Sequence, residues 1–161
     1  MCTWESMYAR PALPALTHYI CYPRYGKHSS IAATVGTAKK IHVLNASTAV
    51  LMYWNSALHY NFYECESQVQ PSWTFPNPGK PSAPPYYNYS VPAFRAWWVR
   101  CAVGAIANSS GELGGLFLDG NPKLEHAHAG LELWGKMVDE LRAALPKVSS
   151  CWWWCCWWRC C

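Results

Sequence analysis

The chain has 161 residues, which fits one domain and falls short of the roughly 250 residues of a complete (β/α)8 barrel. Its formal net charge is +4, but the 13 Lys and Arg residues are scattered. This leaves no dense basic patch for nucleic acid, no basic amphipathic stripe for a membrane surface and no apolar run long enough to span a bilayer.

Residues 1–28 read as irregular, interrupted by Pro11, Pro14 and Pro23. No secretory leader is visible in them, since prolines break the apolar stretch and Glu5 sits near the front. Localisation stays open. From Ser29 or Ser30 a helix is expected to about Leu44, with Ile31, Val35, Ala38 and His42 at helical spacing and Ser as its N-cap. Asn45 to Thr48 read as a turn. Ala49-Val50-Leu51-Met52-Tyr53-Trp54 is a compact apolar run that suits a buried strand ending at Asn55. Ser56 can cap a short helix through about Gln68, carrying Leu58, Phe62 and Cys65. Residues 71–85 hold six prolines, a density that no helix or central strand tolerates, and form a long loop. A short strand at 86–89 can close it. Pro92 suits the first turn of a helix to about Ala107, with Phe94, Trp98, Cys101 and Ala105 on one stripe. Gly114-Gly115-Leu116-Phe117-Leu118-Asp119-Gly120 is an apolar run bracketed by glycines, the pattern of a buried parallel strand. Asn121-Pro122 turns the chain into a last helix, roughly Leu124 to Leu145, which Pro146 stops. Strands alternating with helices imply an α/β fold with a parallel sheet. The expected organisation is an irregular segment 1–28, a domain at 29–146 and a tail at 147–161.

In open parallel sheets, ligands bind beyond the carboxyl ends of the strands. Asp119 stands at such an end, where a carboxylate can serve as nucleophile or general acid/base. Asn55 ends the other strand in the same way and can hydrogen-bond a sugar hydroxyl, with Tyr53 and Trp54 beside it as stacking surfaces. Lys123, just past the turn, can neutralise a substrate or hold Asp119 ionised. Each residue also has an ordinary structural explanation: Asp119 or Asn55 as a turn brace, Lys123 as a solvated charge. Glu64, Glu66, Glu112 and Glu125 are candidates for a second carboxylate. His126 and His128 are two residues apart, so they do not share a helix face and do not make a zinc pair. No nucleophile elbow, phosphate-binding loop or dinucleotide fingerprint occurs.

Three segments together resemble a glycoside-hydrolase-like TIM-barrel family: Val50 to Asn55, Pro92-Ala93-Phe94-Arg95-Ala96-Trp97-Trp98, and Gly115 to Gly120. In such barrels a Y-D-x-(S/T)-N-P-x-x-R-x-W-W segment leads the helix before a G-(I/V)-F-(I/L)-D-G strand. Here Asn88 stands for the family Asp and Val91 for its Asn. The resemblance covers roughly residues 30–145, about the first half of a barrel. It implies a partial (β/α) TIM-barrel-like fold and hydrolysis of an O-glycosidic bond in a carbohydrate substrate, with Asp119 as the catalytic carboxylate. It implies a sugar subsite shaped by Tyr53, Trp54 and Asn55, and no metal or organic cofactor. It leaves the second acid and the oligomeric state open.

Residues 151–161, CWWWCCWWRCC, hold five Trp, five Cys and one Arg. These amino acids have codons related by single bases, so the string reads as a translated TG-rich repeat outside the folded domain. Its cysteine spacings lack the C-x2-C pairs of zinc sites. Two rivals to the hydrolase reading follow: a truncated, inactive or sugar-binding remnant of a barrel, and a Cys-rich metal or redox protein acting through this tail. Cys2, Cys21, Cys65 and Cys101 lie outside the tail, and Cys101 is expected in the core. Asn45, Asn88 and Asn108 each begin an N-x-S sequon, which matters in a secretory route.

Overall fold

The computed structural model describes residues 18–21, 30–77, 80–119 and 130–145. A three-stranded parallel sheet has β1 (His18–Cys21), β2 (Ala49–Asn55) and β5 (Gly115–Asp119) side by side in that order. Between β1 and β2 runs α1 (Ser30–Leu44); α2 (Pro92–Ala107) leads into β5, and α3 (Gly130–Ala144) follows it. The α/β reading with a parallel sheet therefore holds. The long loop carries a two-residue hairpin, β3 (Thr74–Phe75) with β4 (Tyr86–Tyr87), and single 3-10 turns at Glu64–Gln68 and Pro71–Trp73.

The strands expected at 49–55 and 115–119 and the helices at 30–44 and 92–107 form as the pattern indicates. The last helix is described from Gly130 to Ala144, with its expected first turns outside the described residues. Two expectations need correction. His18–Cys21 is a strand inside the segment read as irregular. It is defined by parallel pairing with β2, from His18 opposite Ala49 to Cys21 opposite Met52. Strand formation of this kind is set by the neighbour more than by local propensity. The helix expected from Ser56 does not form before Glu64. Asn55 Oδ1 takes the N–H groups of Ala57 and Leu58 at 2.9 and 2.8 Å, Leu58 bridges to Tyr86, and Asn61 adopts a left-handed φ of 58°. The two bonds to Asn55 are those an N-cap makes, but the Ala57 carbonyl accepts from the Tyr87 N–H and the His59 N–H donates to the Pro85 carbonyl, both at 2.9 Å, so pairing with the loop takes backbone that a helix would use.

The main core cluster lies on one face of the sheet, although β2 is buried on both. Val50, Met52 and Trp54 of β2 and Leu116 of β5 pack with Ala38 of α1, with Met137 and Leu141 of α3, and with α2. The buried apolar residues of α2 are Phe94, Trp97, Trp98, Cys101, Ala102, Ala105 and Ile106, which recur at steps of three and four and make one continuous apolar stripe. Leu51, Tyr53 and Asn55 point to the opposite face, because side chains alternate along a strand. The register sets them beside Gly115, Phe117 and Asp119.

Long-range bonds tie the loop to this frame. Glu64 carboxylate oxygens accept from the N–H groups of Ile31 and Ala32 at 3.2 and 3.1 Å, so α1 is capped from 32 or 33 residues away. An acid suits a helix N-terminus, where unpaired N–H groups collect. Glu66 is 2% exposed and accepts from the Tyr63 N–H at 2.9 Å and from the Tyr87 hydroxyl. Burial pushes its carboxyl above the ordinary range, against these two donors. Cys65 and Cys101 form a disulfide with a Cα–Cα distance of 6.1 Å, joining the 3-10 turn to α2. Cys101 is thus a core residue, as expected, and a cross-link as well. Among the described residues no helix is long and apolar enough to cross a membrane.

Candidate functional site

The carboxyl ends of β2 and β5 meet at one register position, Asn55 opposite Asp119. This follows from both strands running parallel and from Leu51 pairing with Gly115 four residues earlier. Two residues before the end of β2 on the same face is Tyr53, whose hydroxyl donates to Asp119 Oδ2 at 2.6 Å. Asn55 Nδ2 donates to the Tyr53 oxygen at 3.0 Å. The three residues form a relay from amide to phenol to carboxylate. Its orientation is fixed, because Asn55 Oδ1 is already committed to the Ala57 and Leu58 N–H groups.

Burial, reinforced by the bond to Asp119, pushes the Tyr53 phenol well above its ordinary value. It therefore stays protonated and acts as a donor to the carboxylate. Asn55 is 4% exposed, whereas Asp119 is exposed at the strand tip. The cluster thus has a buried, bonded root and a solvent-facing acid.

Other residues hold this rim. The Tyr63 hydroxyl accepts from the Asn55 N–H at 3.0 Å and donates to the Tyr53 carbonyl at 3.1 Å, which fixes the β2 backbone beneath the cluster. Ser56 holds β5 to β2, since its N–H and hydroxyl both donate to the Asp119 carbonyl, at 2.8 and 3.1 Å. The Ser56 hydroxyl accepts from the Trp134 indole of α3 at 3.1 Å, and the Ser56 carbonyl accepts from the Tyr89 hydroxyl. The sequence did not point to Tyr63, Tyr89 or Trp134, and it offered Ser56 only as a helix cap. Tyr and Ser near strand ends are common, and only the folded contacts distinguish these four.

Tyr53, Asn55 and Asp119 are thus brought together. Trp54 is not among them: it is 1% exposed, stacks on Tyr63 at 4.0 Å between ring centroids and meets Trp98 edge-on at 6.2 Å. It faces the helices, one residue out of phase with the cluster, and offers no face to a sugar there. Lys123 lies outside the described residues, as do Glu125, His126, His128 and the Cys/Trp tail. The other acids considered as partners are engaged elsewhere. Glu64 caps α1, Glu66 is buried under the loop, and Glu112 pairs with His42 Nδ1 at 2.6 Å. Among the described residues no group of three or more His, Cys, Asp and Glu gathers as a metal would require.

Comparison with known proteins gives no relative: no family model matches the chain, and no curated protein matches it.

Proposed function

We propose that this chain is part of a glycoside-hydrolase-like (β/α) barrel and that Asp119 is the strand-end carboxylate acting on an O-glycosidic bond. The observation that carries this reading is the bond from the Tyr53 hydroxyl to Asp119 Oδ2, 2.6 Å, at the exposed carboxyl end of a parallel strand. Two features of the fold support it. The described parallel strands stand in chain order, and the helices pack on the face of Val50, Met52 and Trp54. In a barrel that face is the outer one, and the face of Tyr53, Asn55 and Asp119 turns inward toward the substrate end.

In this role the Asp119 carboxylate attacks the anomeric carbon, or takes a proton from the attacking water, while the departing sugar oxygen receives a proton from a second acid. The Tyr53 donor holds Asp119 in one orientation. Asn55 and Tyr53, bonded in line to Asp119, form the floor of the sugar subsite, and Lys123 balances its charge. The reaction needs no metal or organic cofactor. A second reading is a sugar-binding or inactive remnant of such a barrel. It is favoured by the engagement of Glu64, Glu66 and Glu112 away from Asp119, which leaves the described rim with one acid.

The test is hydrolysis of a panel of aryl glycosides by the full chain and by Asp119→Asn, alongside calorimetric titration with oligosaccharides. A loss of about 100-fold or more in Asp119→Asn, with its fold unchanged, supports the hydrolase. Hydrolysis that survives the substitution sinks the assignment. Saturable binding without hydrolysis, weakened by Asp119→Ala with the fold unchanged, supports the remnant.

A further inference from the structure

The sequons at Asn45, Asn88 and Asn108 play no part in the strand-end cluster, yet they occupy very different places in the fold. Asn45 and Ser47 are both exposed, in the turn between α1 and β2. Asn45 Oδ1 accepts from the Ser47 N–H at 3.0 Å and from the Ser47 hydroxyl at 2.7 Å. The two bonds engage the amide oxygen and neither uses Nδ2, the atom that a glycan would join. At Asn88 the same two bonds to Ser90 form, but the residue is half-buried and the neighbouring Tyr89 is sunk in the core. At Asn108 the sequon closes α2, with Ser110 at a left-handed φ of 56°.

Two further observations converge on Asn45. Val43 and Leu44, 86% and 74% exposed, are large apolar side chains immediately before it. A glycan at the next residue would stand over that apolar surface. The Cys65–Cys101 disulfide belongs to an oxidising compartment, the kind in which N-linked glycans are attached.

We propose that Asn45 is an N-glycosylation site and that this chain folds in an oxidising lumenal compartment. In the transfer, Asn45 Nδ2 attacks the anomeric carbon of an oligosaccharide carried on a lipid pyrophosphate. A C–N bond forms, the bond from that carbon to the phosphate oxygen breaks, and the lipid pyrophosphate leaves with the electron pair. The amide proton passes to a base of the transferase, and no electrons are exchanged with an oxidant. Asn108 is exposed too, but of the three acceptors Asn45 alone combines exposure with a bond to its own hydroxyl partner and a place beside uncovered apolar surface. The proposal stands apart from the hydrolase reading, since it uses no residue of the Tyr53–Asn55–Asp119 cluster.

The test is expression of the full chain behind a cleavable leader in a eukaryotic secretory host, with an independent acceptor sequon in the leader linker. Chains whose linker is glycosylated have entered the lumen, and Asn45 is scored on those chains alone. Enzymatic glycan release in heavy-oxygen water converts each occupied Asn to a labelled Asp that peptide mass spectrometry reads. Label at residue 45 is expected in the wild type and in Ser47→Thr, with loss to background in Ser47→Ala and Asn45→Gln. Linker-modified chains lacking label at residue 45 would overturn the proposal, as would label at residue 45 that persists in Ser47→Ala.

Discussion

Replacing Tyr53 by Phe removes one oxygen and keeps the ring, so the loss isolates the relay at the strand ends. Two bonds go with that oxygen. The first runs to Asp119 Oδ2 at 2.6 Å. A hydrogen bond to a charged group contributes about 1.5–3 kcal/mol when well sheltered. Asp119 is exposed, so its carboxylate regains water, and about 1 kcal/mol is the appropriate share. The second bond is the one from Asn55 Nδ2 at 3.0 Å. Asn55 is 4% exposed, and its amide oxygen is tied to two backbone N–H groups, so the side chain does not turn away. Leaving that buried donor unsatisfied costs about 1–2 kcal/mol. The sum is about 2–3 kcal/mol, to be read from the urea midpoint at unchanged slope. A double-mutant cycle with Asp119→Ala should give about 1 kcal/mol of coupling, the share assigned to the direct bond. A Tyr53→Phe loss below about 0.5 kcal/mol, the ordinary range of an unremarkable surface change, would refute the relay. Coupling indistinguishable from zero would remove the Asp119 arm of it.

Three further outcomes follow from the same contacts. Glu64→Ala should lower stability by about 1 kcal/mol, a typical helix-cap loss, and should speed amide exchange at Ile31 and Ala32 while leaving α2 unaffected; equal protection at those two amides would show that Glu64 does not cap α1. Replacing Cys65 and Cys101 together by Ser should cost about 3–4 kcal/mol, because the cross-link closes a loop of 36 residues in the unfolded chain; thermal unfolding of the two forms under non-reducing conditions measures it, and identical midpoints would contradict the pairing. Burial holds the His59 imidazole below its ordinary value of 6.5, so the unfolded chain takes up the proton first. The stability that His59 contributes is therefore present above that value and lost as pH falls from it toward the lowered folded value. Stability measured against pH should show a smaller acid-side loss in His59→Leu than in the wild type; parallel curves would remove His59 as a cause.

Much of the secondary structure was legible in the sequence, because it follows from local chemistry. Pro92 marks the start of α2, and the Phe94-to-Ile106 stripe keeps the helical period that burial then confirms. The apolar run from Ala49 and the glycine-bracketed run to Asp119 each declare a strand, and with it the rim where Asn55 and Asp119 stand. The same local view failed where a distant partner decides. His18–Cys21 becomes a strand by lying against β2, and residues 56–63 give up a helix because the backbone of Ala57 and His59 pairs with Tyr87 and Pro85.

The sequence by itself determined which residues end the two strands and that an acid and an amide stand there. Only the tertiary structure decided what those residues meet. The register sets Asn55 opposite Asp119 and brings the Tyr53 phenol within 2.6 Å of the carboxylate across 66 positions of chain. It also turns Trp54, one residue along, into the core against Tyr63 and Trp98. The physical reason is the two-residue period of a strand: adjacent side chains are assigned to opposite faces, and which face meets the helices is fixed only when the helices pack.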